Sequence, residues 1–204
     1  MDVPNALPES STLMIEHANT ILDMNGFGQS ISGIVESCTG TITSAVPATL
    51  TVNQKTAATL LSRLTGAVGL LKAGTGTLTL SNNLSTTTGD FTVTNGTLAV
   101  ALENSLGNST NVTVSGAAAR LELRTSAGIS DTATLTIAND GAKVNLLANV
   151  DEAVGWLYFD EKLQRAGTYG SSNSTATYKD DAHFSGTGVL RVLHDRAGTL
   201  ISLR

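Results

Sequence analysis

The stretch GLLKAGTGTLTLSNN, Gly69 to Asn83, carries a pattern that indicates how the chain folds. It places two glycines around a threonine and continues as a Thr-Leu-Thr-Leu alternation. Alternating apolar and polar residues are typical of a half-buried β-strand, and glycine permits the sharp turn that must precede it. We therefore expect a corner at Gly74 to Gly76, followed by a strand in which Leu78 and Leu80 point inward and the threonines point outward.

Similar segments recur along the chain at intervals of about twenty residues. GTLTLSN begins at Gly76, GTLAVA at Gly96 and GAAARLELR at Gly116. Other short alternating segments, separated by Gly, Asn, Asp and Ser, fill most of the remaining sequence. This repetition predicts an all-β solenoid, a parallel β-helix in which each strand stacks on the equivalent strand of the next coil.

Two other interpretations of these segments stay open. An antiparallel sandwich also uses short alternating strands, although tight two-residue hairpin turns are scarce in this sequence. Helical spacing is found only in TAATLLSRL, Thr56 to Leu64, and in the polar stretch around ENSLG, and both are short for a stable helix.

The composition changes after about Val154. Of the eight aromatic residues in the chain, six lie beyond this point: Trp156, Tyr158, Phe159, Tyr169, Tyr178 and Phe184. Because a solenoid must cover its open end, we expect this segment to be a cap, with GVLRVL and TLISL as its final strands. The predicted organisation is a repeat scaffold over residues 1–154 and a capping segment over residues 155–204.

The composition also limits the classes of partner. Charged residues make up 14% of the chain, below the roughly 25% of an average domain, and the net charge is −5. The 12 Lys and Arg residues are scattered, which argues against a nucleic-acid surface and against a basic membrane-binding face. Apolar runs stay well short of the ~20 residues that span a membrane. The N-terminal MDVPNALPES lacks the features of a signal peptide, which fits a cytoplasmic protein or a piece of a longer exported chain, and we expect the second.

The repeated segments resemble a known family. LLKAGTGTLTLSNN, followed by FTVTNGTLAVALENSLGNSTNVTVSGAAARLEL, is similar to the autotransporter-associated β-strand repeat, and LYFDEKLQRAGTYG with DDAHFSGTGVLRVL resembles the segment that ends such arrays. The resemblance covers about Thr12 to Leu193. It implies a right-handed parallel β-helix that serves as a stalk or passenger scaffold in a secreted or cell-surface bacterial protein, adhesin-like in its setting. The family has no shared catalytic residues to transfer.

Candidate chemistry is sparse, and each case has a structural explanation. His17, His183 and His194 show no metal-ligand spacing. Asp180, Asp181 and His183 in KDDAHF could hold a cation or act as an acid and base, but aspartates in this position also cap turns.

Three further features of the sequence also have a structural explanation. Glu122 and Arg124 could mark the outward site of a pectin-lyase-like enzyme, although such a pair is more often a solvated ladder. The single cysteine, Cys38, cannot form an intrachain disulfide and suits a small strand or turn residue. Asn-x-Ser/Thr triplets would be glycosylated only in a eukaryotic secretory pathway. They begin at Asn83, Asn95, Asn108, Asn111 and Asn173.

The sequence therefore predicts a non-enzymatic structural segment with no catalytic, cofactor-binding or metal-binding residues. The expected partner is the remainder of a longer parent chain, with a cell-surface polysaccharide as a further candidate, and nucleic acid and membrane insertion are not expected. The alternatives are a carbohydrate-binding module that uses exposed aromatic residues such as Trp156 or Tyr158, and the non-catalytic part of a polysaccharide-degrading β-helix enzyme.

Overall fold

A computed structural model describes residues 3–138 and 140–195. These residues form 21 β-strands and no helix, and the parallel strands stack into a solenoid of about seven turns. In the first part of the chain the strands are β1 Thr12–Ile15, β2 Ile21–Asp23, β3 Gln29–Ile31, β4 Gly33–Glu36, β5 Thr41–Asn53, β6 Ala58–Leu60, β7 Arg63–Ala73, β8 Thr77–Leu80, β9 Phe91–Val93 and β10 Gly96–Val100. In the second part they are β11 Asn111–Val114, β12 Ala119–Leu123, β13 Thr134–Ile137, β14 Lys143–Leu146, β15 Asp151–Val154, β16 Trp156–Phe159, β17 Lys162–Leu163, β18 Gly167–Gly170, β19 Tyr178–Lys179, β20 Phe184–Gly186 and β21 Val189–Val192.

One face of the solenoid is a six-stranded parallel sheet in the order β6-β8-β10-β12-β14-β20. Its register aligns equivalent inward residues of successive coils, so that Leu78 lies beside Leu98, Leu98 beside Leu121, and Leu121 beside Val144. All four side chains are fully buried. The leucines of the opening stretch thus stack on the equivalent apolar side chains of the neighbouring coils, as the Thr-Leu alternation predicts.

A second face contains β2, β5, β7, β9, β11, β13 and β16 in that order, again paired in parallel. Its register builds a continuous inner stack of Leu50, Leu70, Phe91, Val112, Leu135 and Leu157. The two stacks belong to one hydrophobic core that runs the length of the described chain. Parallel pairing between successive coils confirms the predicted β-helix and excludes the antiparallel sandwich.

The opening stretch folds as its sequence predicts. Leu78 and Leu80 are buried, with 0% and 2% of their surface exposed, and Thr77 and Thr79, which alternate with them, are half-buried. Gly74 has φ +76°, a conformation that side chains rarely adopt. At Gly76 a Cβ atom would lie 2.3 Å from the carbonyl oxygen of Thr56, so only glycine lets the two coils approach this closely.

Neither of the two segments with helical spacing forms a helix. Within Thr56 to Leu64 lie strand β6 and the start of β7, and the ENSLG stretch is a turn. In the first segment the chain bends between two strands of the same coil, which buries both Leu60 and Leu64. This spacing of four residues imitates a helical face.

Parallel stacking continues past residue 154. Strand β16 pairs with β13, β20 pairs with β14, and β21 pairs with β15. Between β16 and β20, the chain makes antiparallel contacts through β17 and β18, and β19 pairs with β18. The predicted cap therefore holds an aromatic cluster and also supplies the strands that complete the last coil. The predicted TLISL strand lies outside the described residues, and the division at residue 154 stays a prediction.

The N-terminal segment lies against the edge of the first coil. The Asn5 amide donates to the Gly28 carbonyl at 2.9 Å, and the Leu7 amide donates to the Gln29 side-chain oxygen at 3.0 Å. The Gln29 side-chain amide in turn donates to the Val3 carbonyl at 3.1 Å. Across the described ranges, 3–138 and 140–195, the structure has no helix of the length and hydrophobicity needed to cross a membrane.

Candidate functional site

The KDDAHF segment forms a hydrogen-bonded turn ahead of β20. One carboxylate oxygen of Asp180 accepts from the Ala182 amide at 2.8 Å and the His183 amide at 3.2 Å, and the other lies 2.8 Å from His183 Nδ1. Asp181 accepts from the Ser172 amide, and this bond lowers the pKa of its carboxyl group. The aspartates thus cap the turn, and within the described residues no group of three or more potential ligands could hold a metal ion.

Glu122, on the outer side of β12, forms a partly exposed ion pair with Arg124, the residue that follows the strand. Arg124 Nε lies 2.7 Å from one carboxylate oxygen of Glu122, and the other oxygen accepts from the Asn145 side chain at 3.0 Å. The Arg124 side chain is 40% exposed, so solvent screens the pair and its stabilisation is at most about 1 kcal/mol. The arrangement fits the solvated ladder considered from the sequence.

Of the other residues singled out from the sequence, Trp156, Tyr158 and His194 lie near one another at the C-terminal end, and His17 and Cys38 lie elsewhere. Trp156 and Tyr158 occupy outward positions of β16 and are half-buried, and the Trp156 ring lies 5.2 Å from the ring of His194. His17 is exposed near the opposite end of the solenoid, and Cys38 is a half-buried free thiol. The structure therefore does not bring the three histidines or the cysteine into one site.

Sequence reasoning missed a lysine in the core. Lys72 occupies an inward position of β7, in register between Val52 and Val93, and is fully buried. Its ammonium donates to the carbonyls of Ala73, Gly74 and Asn95 at 2.7, 2.8 and 3.1 Å. Burial lowers the pKa of Lys72 to about 8. The three carbonyls replace water around the charge, and since one belongs to the next coil, the side chain joins two coils at the corner.

A buried carboxylate, that of Glu152, also joins two coils at a corner. Glu152 on β15 is fully buried, and its oxygens accept from the Gly128 and Ile129 amides of the preceding coil at 3.0 and 3.1 Å. Burial raises the pKa of Glu152 to about 7, with a smaller contribution from the charge of Asp131. The sequence contained a clue, because DEAV places this glutamate at the inward position two residues before buried Val154.

Glu36 makes a third link of this kind. Its carboxylate accepts from the Leu61 amide, from the Ser62 amide at 2.9 Å and from the Ser62 hydroxyl at 2.8 Å. Burial raises the pKa of Glu36. Among the described residues, every buried side-chain nitrogen or oxygen has a hydrogen-bond partner. Lys72, Glu152 and Glu36 therefore link neighbouring coils through their side chains.

The pKa of Glu152 leads to a prediction about stability and pH. Because the pKa is higher in the folded chain than in the unfolded chain, folding takes up a proton, and the free energy of unfolding should fall as pH rises from about 4.5 to about 7. We expect Glu152→Gln to remove about 1–3 kcal/mol of this change. Thermal denaturation of the wild-type protein and of Glu152→Gln across this pH range measures the difference.

Glu103→Gln, at an exposed glutamate, is the matched control and should keep the fall in stability with rising pH that the wild-type protein shows. Identical pH profiles for the wild-type protein and Glu152→Gln would contradict the assignment.

A concave surface with aromatic walls lies near the C-terminal end, in the segment between β16 and β20. We call it the aromatic cleft. Its volume is about 560 Å³, and it is lined by Phe159, Leu163, Gln164, Arg165, Tyr169, Thr177, Tyr178, Lys179 and Asp180. This volume lies within the ~300–1,000 Å³ of typical small-molecule sites. The sequence identified the aromatic residues of this region but not the cleft that they form.

Contacts with neighbouring rings and a hydrogen bond hold the aromatic side chains of the cleft in place. Phe159 stacks on His183 with ring centroids 3.9 Å apart, and it meets Tyr169 edge-to-face at 6.2 Å. Tyr169 is buried and donates its hydroxyl to the Arg165 carbonyl at 2.9 Å. The Tyr178 ring lies 4.8 Å from that of Tyr169, and this residue is 38% exposed. The cleft therefore has a preformed aromatic floor.

Comparison with known protein families finds no family that matches this chain, and comparison with curated proteins and with solved structures finds no match either.

Proposed function

We propose that this chain is a non-enzymatic scaffold, a stalk segment of a secreted or cell-surface bacterial protein of the autotransporter-like kind. The observation that carries the proposal is the unbroken inner stack from Leu50 to Leu157, which joins successive coils along one axis. A solenoid of this kind lengthens by adding coils without changing its core, which suits a spacer.

Two further features support this proposal. The buried links made by Lys72, Glu36 and Glu152 join neighbouring coils at the corners, where side chains must satisfy backbone groups. Outward positions of the central strands carry threonine, as at Thr92, Thr113 and Thr136. The resemblance of the GTGTLTL and GTLAVA segments to the autotransporter-associated β-strand repeat points in the same direction.

A surface-display experiment tests the scaffold function. The chain is fused between a signal peptide and an outer-membrane anchor in a bacterial host, with an epitope ahead of residue 1. We expect the epitope to reach the cell surface on a folded stalk that external protease cleaves slowly. The matched control carries Leu98→Asp, which should reduce display or make the stalk sensitive to protease. Equal display and equal protease resistance of the two fusions would contradict the proposal.

Carbohydrate binding is the second candidate function, alone or as an accessory part of a polysaccharide-degrading β-helix enzyme. It is favoured by the aromatic residues of the C-terminal end, among which Trp156 and Tyr158 are half-buried on the outside of β16. A glycan array with the wild-type protein and Trp156→Ala tests binding. Incubation with pectins and other polysaccharides tests for cleavage, and release of oligosaccharides would replace the scaffold proposal with the enzyme.

A further inference from the structure

We propose that the aromatic cleft binds an acidic saccharide, a sugar ring that carries a carboxylate. This inference concerns a site of its own and does not depend on the scaffold function. It differs from the second candidate function in its location, because the aromatic cleft does not include Trp156 or Tyr158.

The floor of the cleft suits the apolar face of a sugar ring. A pyranose presents several C–H groups on one face, and such a face packs against aromatic rings. Tyr178 offers an exposed ring, and Tyr169 and Phe159 fix the surface beneath it. The contact between Tyr169 and Tyr178, whose ring centroids lie 4.8 Å apart at an interplanar angle of 31°, holds the exposed ring in place.

The rim of the cleft carries groups that bind hydroxyls. At the edge of the aromatic floor, Gln164 provides an amide whose nitrogen donates to the Lys162 carbonyl at 2.8 Å and whose oxygen accepts no hydrogen bond among the described residues. Thr177 provides a hydroxyl that accepts from the Thr168 hydroxyl at 3.1 Å. The Lys179 ammonium donates to the carbonyls of Ser172 and Ser174 at 3.1 and 2.5 Å, so its position beside the cleft is fixed. Polar groups around an apolar floor are the usual composition of a small-molecule site.

The charge of the rim selects an acidic ligand. Asp180 is the single acidic residue that lines the cleft, and its two oxygens already bind Ala182 and His183. The Arg165 guanidinium is exposed and has no hydrogen bond or ion pair among the described residues. Asp195 does not line the cleft; it lines a separate depression of about 270 Å³, which Arg165 also borders. A planar guanidinium with unused N–H groups binds carboxylates in a bidentate way.

An acidic peptide could also pair with Arg165. The two ligand classes differ in their use of the floor, because a sugar ring stacks on Tyr178 whereas a carboxylate side chain alone does not require it. The combination of an exposed ring, a fixed aromatic floor and an amide–hydroxyl rim favours the saccharide.

Titration calorimetry with the full chain tests the proposal. The probes are short oligomers of mannuronate and of galacturonate and a hyaluronan tetrasaccharide, with neutral cello-oligosaccharides and a hexamer of glutamate as comparisons. We expect at least one acidic saccharide to bind with a dissociation constant in the micromolar to millimolar range. Arg165→Gln and Tyr178→Ala should each weaken this binding about tenfold or more.

The matched control for Arg165 is Arg63→Gln, which removes the same charge from the exposed end of β7, where Arg63 contacts Thr41. It should leave binding unchanged, and melting temperatures should confirm that each variant is folded. Failure of all three acidic saccharides to bind would overturn the proposal. So would equal losses for Arg63→Gln and Arg165→Gln, equally tight binding of the glutamate hexamer, or a dependence on Trp156 and not on Tyr178.

Discussion

Replacing Leu78 with aspartate is expected to lower the free energy of unfolding by about 3–5 kcal/mol. Leu78 is fully buried and lies in register between Ala58 and Leu98, inside the parallel sheet that begins with β6. The substitution removes a packed side chain and places a carboxylate where no partner is available to it. Urea or thermal denaturation followed by circular dichroism measures the change.

The next residue of the same strand provides the control. Thr79 is half-buried and points away from the core, so Thr79→Asp should change the free energy of unfolding by about 0.5 kcal/mol or less. The two variants introduce the same charge one residue apart. If both lost similar stability, the alternation of inward and outward positions on β8 would be wrong.

Deleting residues 155–204 is expected to abolish the soluble, cooperatively folded protein. The deletion removes β16, β20 and β21, which pair with β13, β14 and β15. Leu135 and Val144, fully buried in the intact chain, would lose the strands packed on them, and the edges of those sheets would invite association between chains. Size-exclusion chromatography and circular dichroism on residues 1–154 should show aggregated or unfolded protein.

The full chain at the same concentration is the comparison for this experiment, and it should elute as a soluble β protein. A monodisperse fragment that melts cooperatively would show that residues 155–204 form a separate module. It would also remove the structural reason for regarding the aromatic segment as a cap.

The fold could be predicted because its repeat uses local patterns. Alternation in TLTL fixes which side chains enter the core, and the glycines before it mark the corner, so Leu78 and Gly74 were placed correctly from the sequence alone. The bend between β6 and β7 was not predictable in this way. There Leu60 and Leu64 both enter the core across a corner, and their four-residue spacing follows the path of the coil although it resembles that of a helical face.

The candidate site was harder to predict. Lys72 could have been recognised from the sequence, because a charged residue stands where the alternation expects an apolar one. Its carbonyl partners could not be predicted, because they lie at the corners of two coils that only the folded structure brings together. The aromatic cleft depends on an insertion between β16 and β20 that interrupts the repeat. Tyr169 and Tyr178 are brought into contact there by the pairing of β18 with β19. The periodicity of the sequence does not predict this pairing.

The burial of Lys72 has a consequence for its chemical reactivity. Amine-reactive reagents need an accessible, uncharged amine, and the amine of Lys72 is enclosed by the carbonyls of Ala73, Gly74 and Asn95 although its pKa of about 8 would otherwise favour reaction. Lys55 and Lys162 are exposed and should react in the folded protein, whereas Lys72 should react only when the coils separate. The rate of acetylation at Lys72, followed by peptide mass spectrometry, would therefore report how often the middle of the solenoid opens.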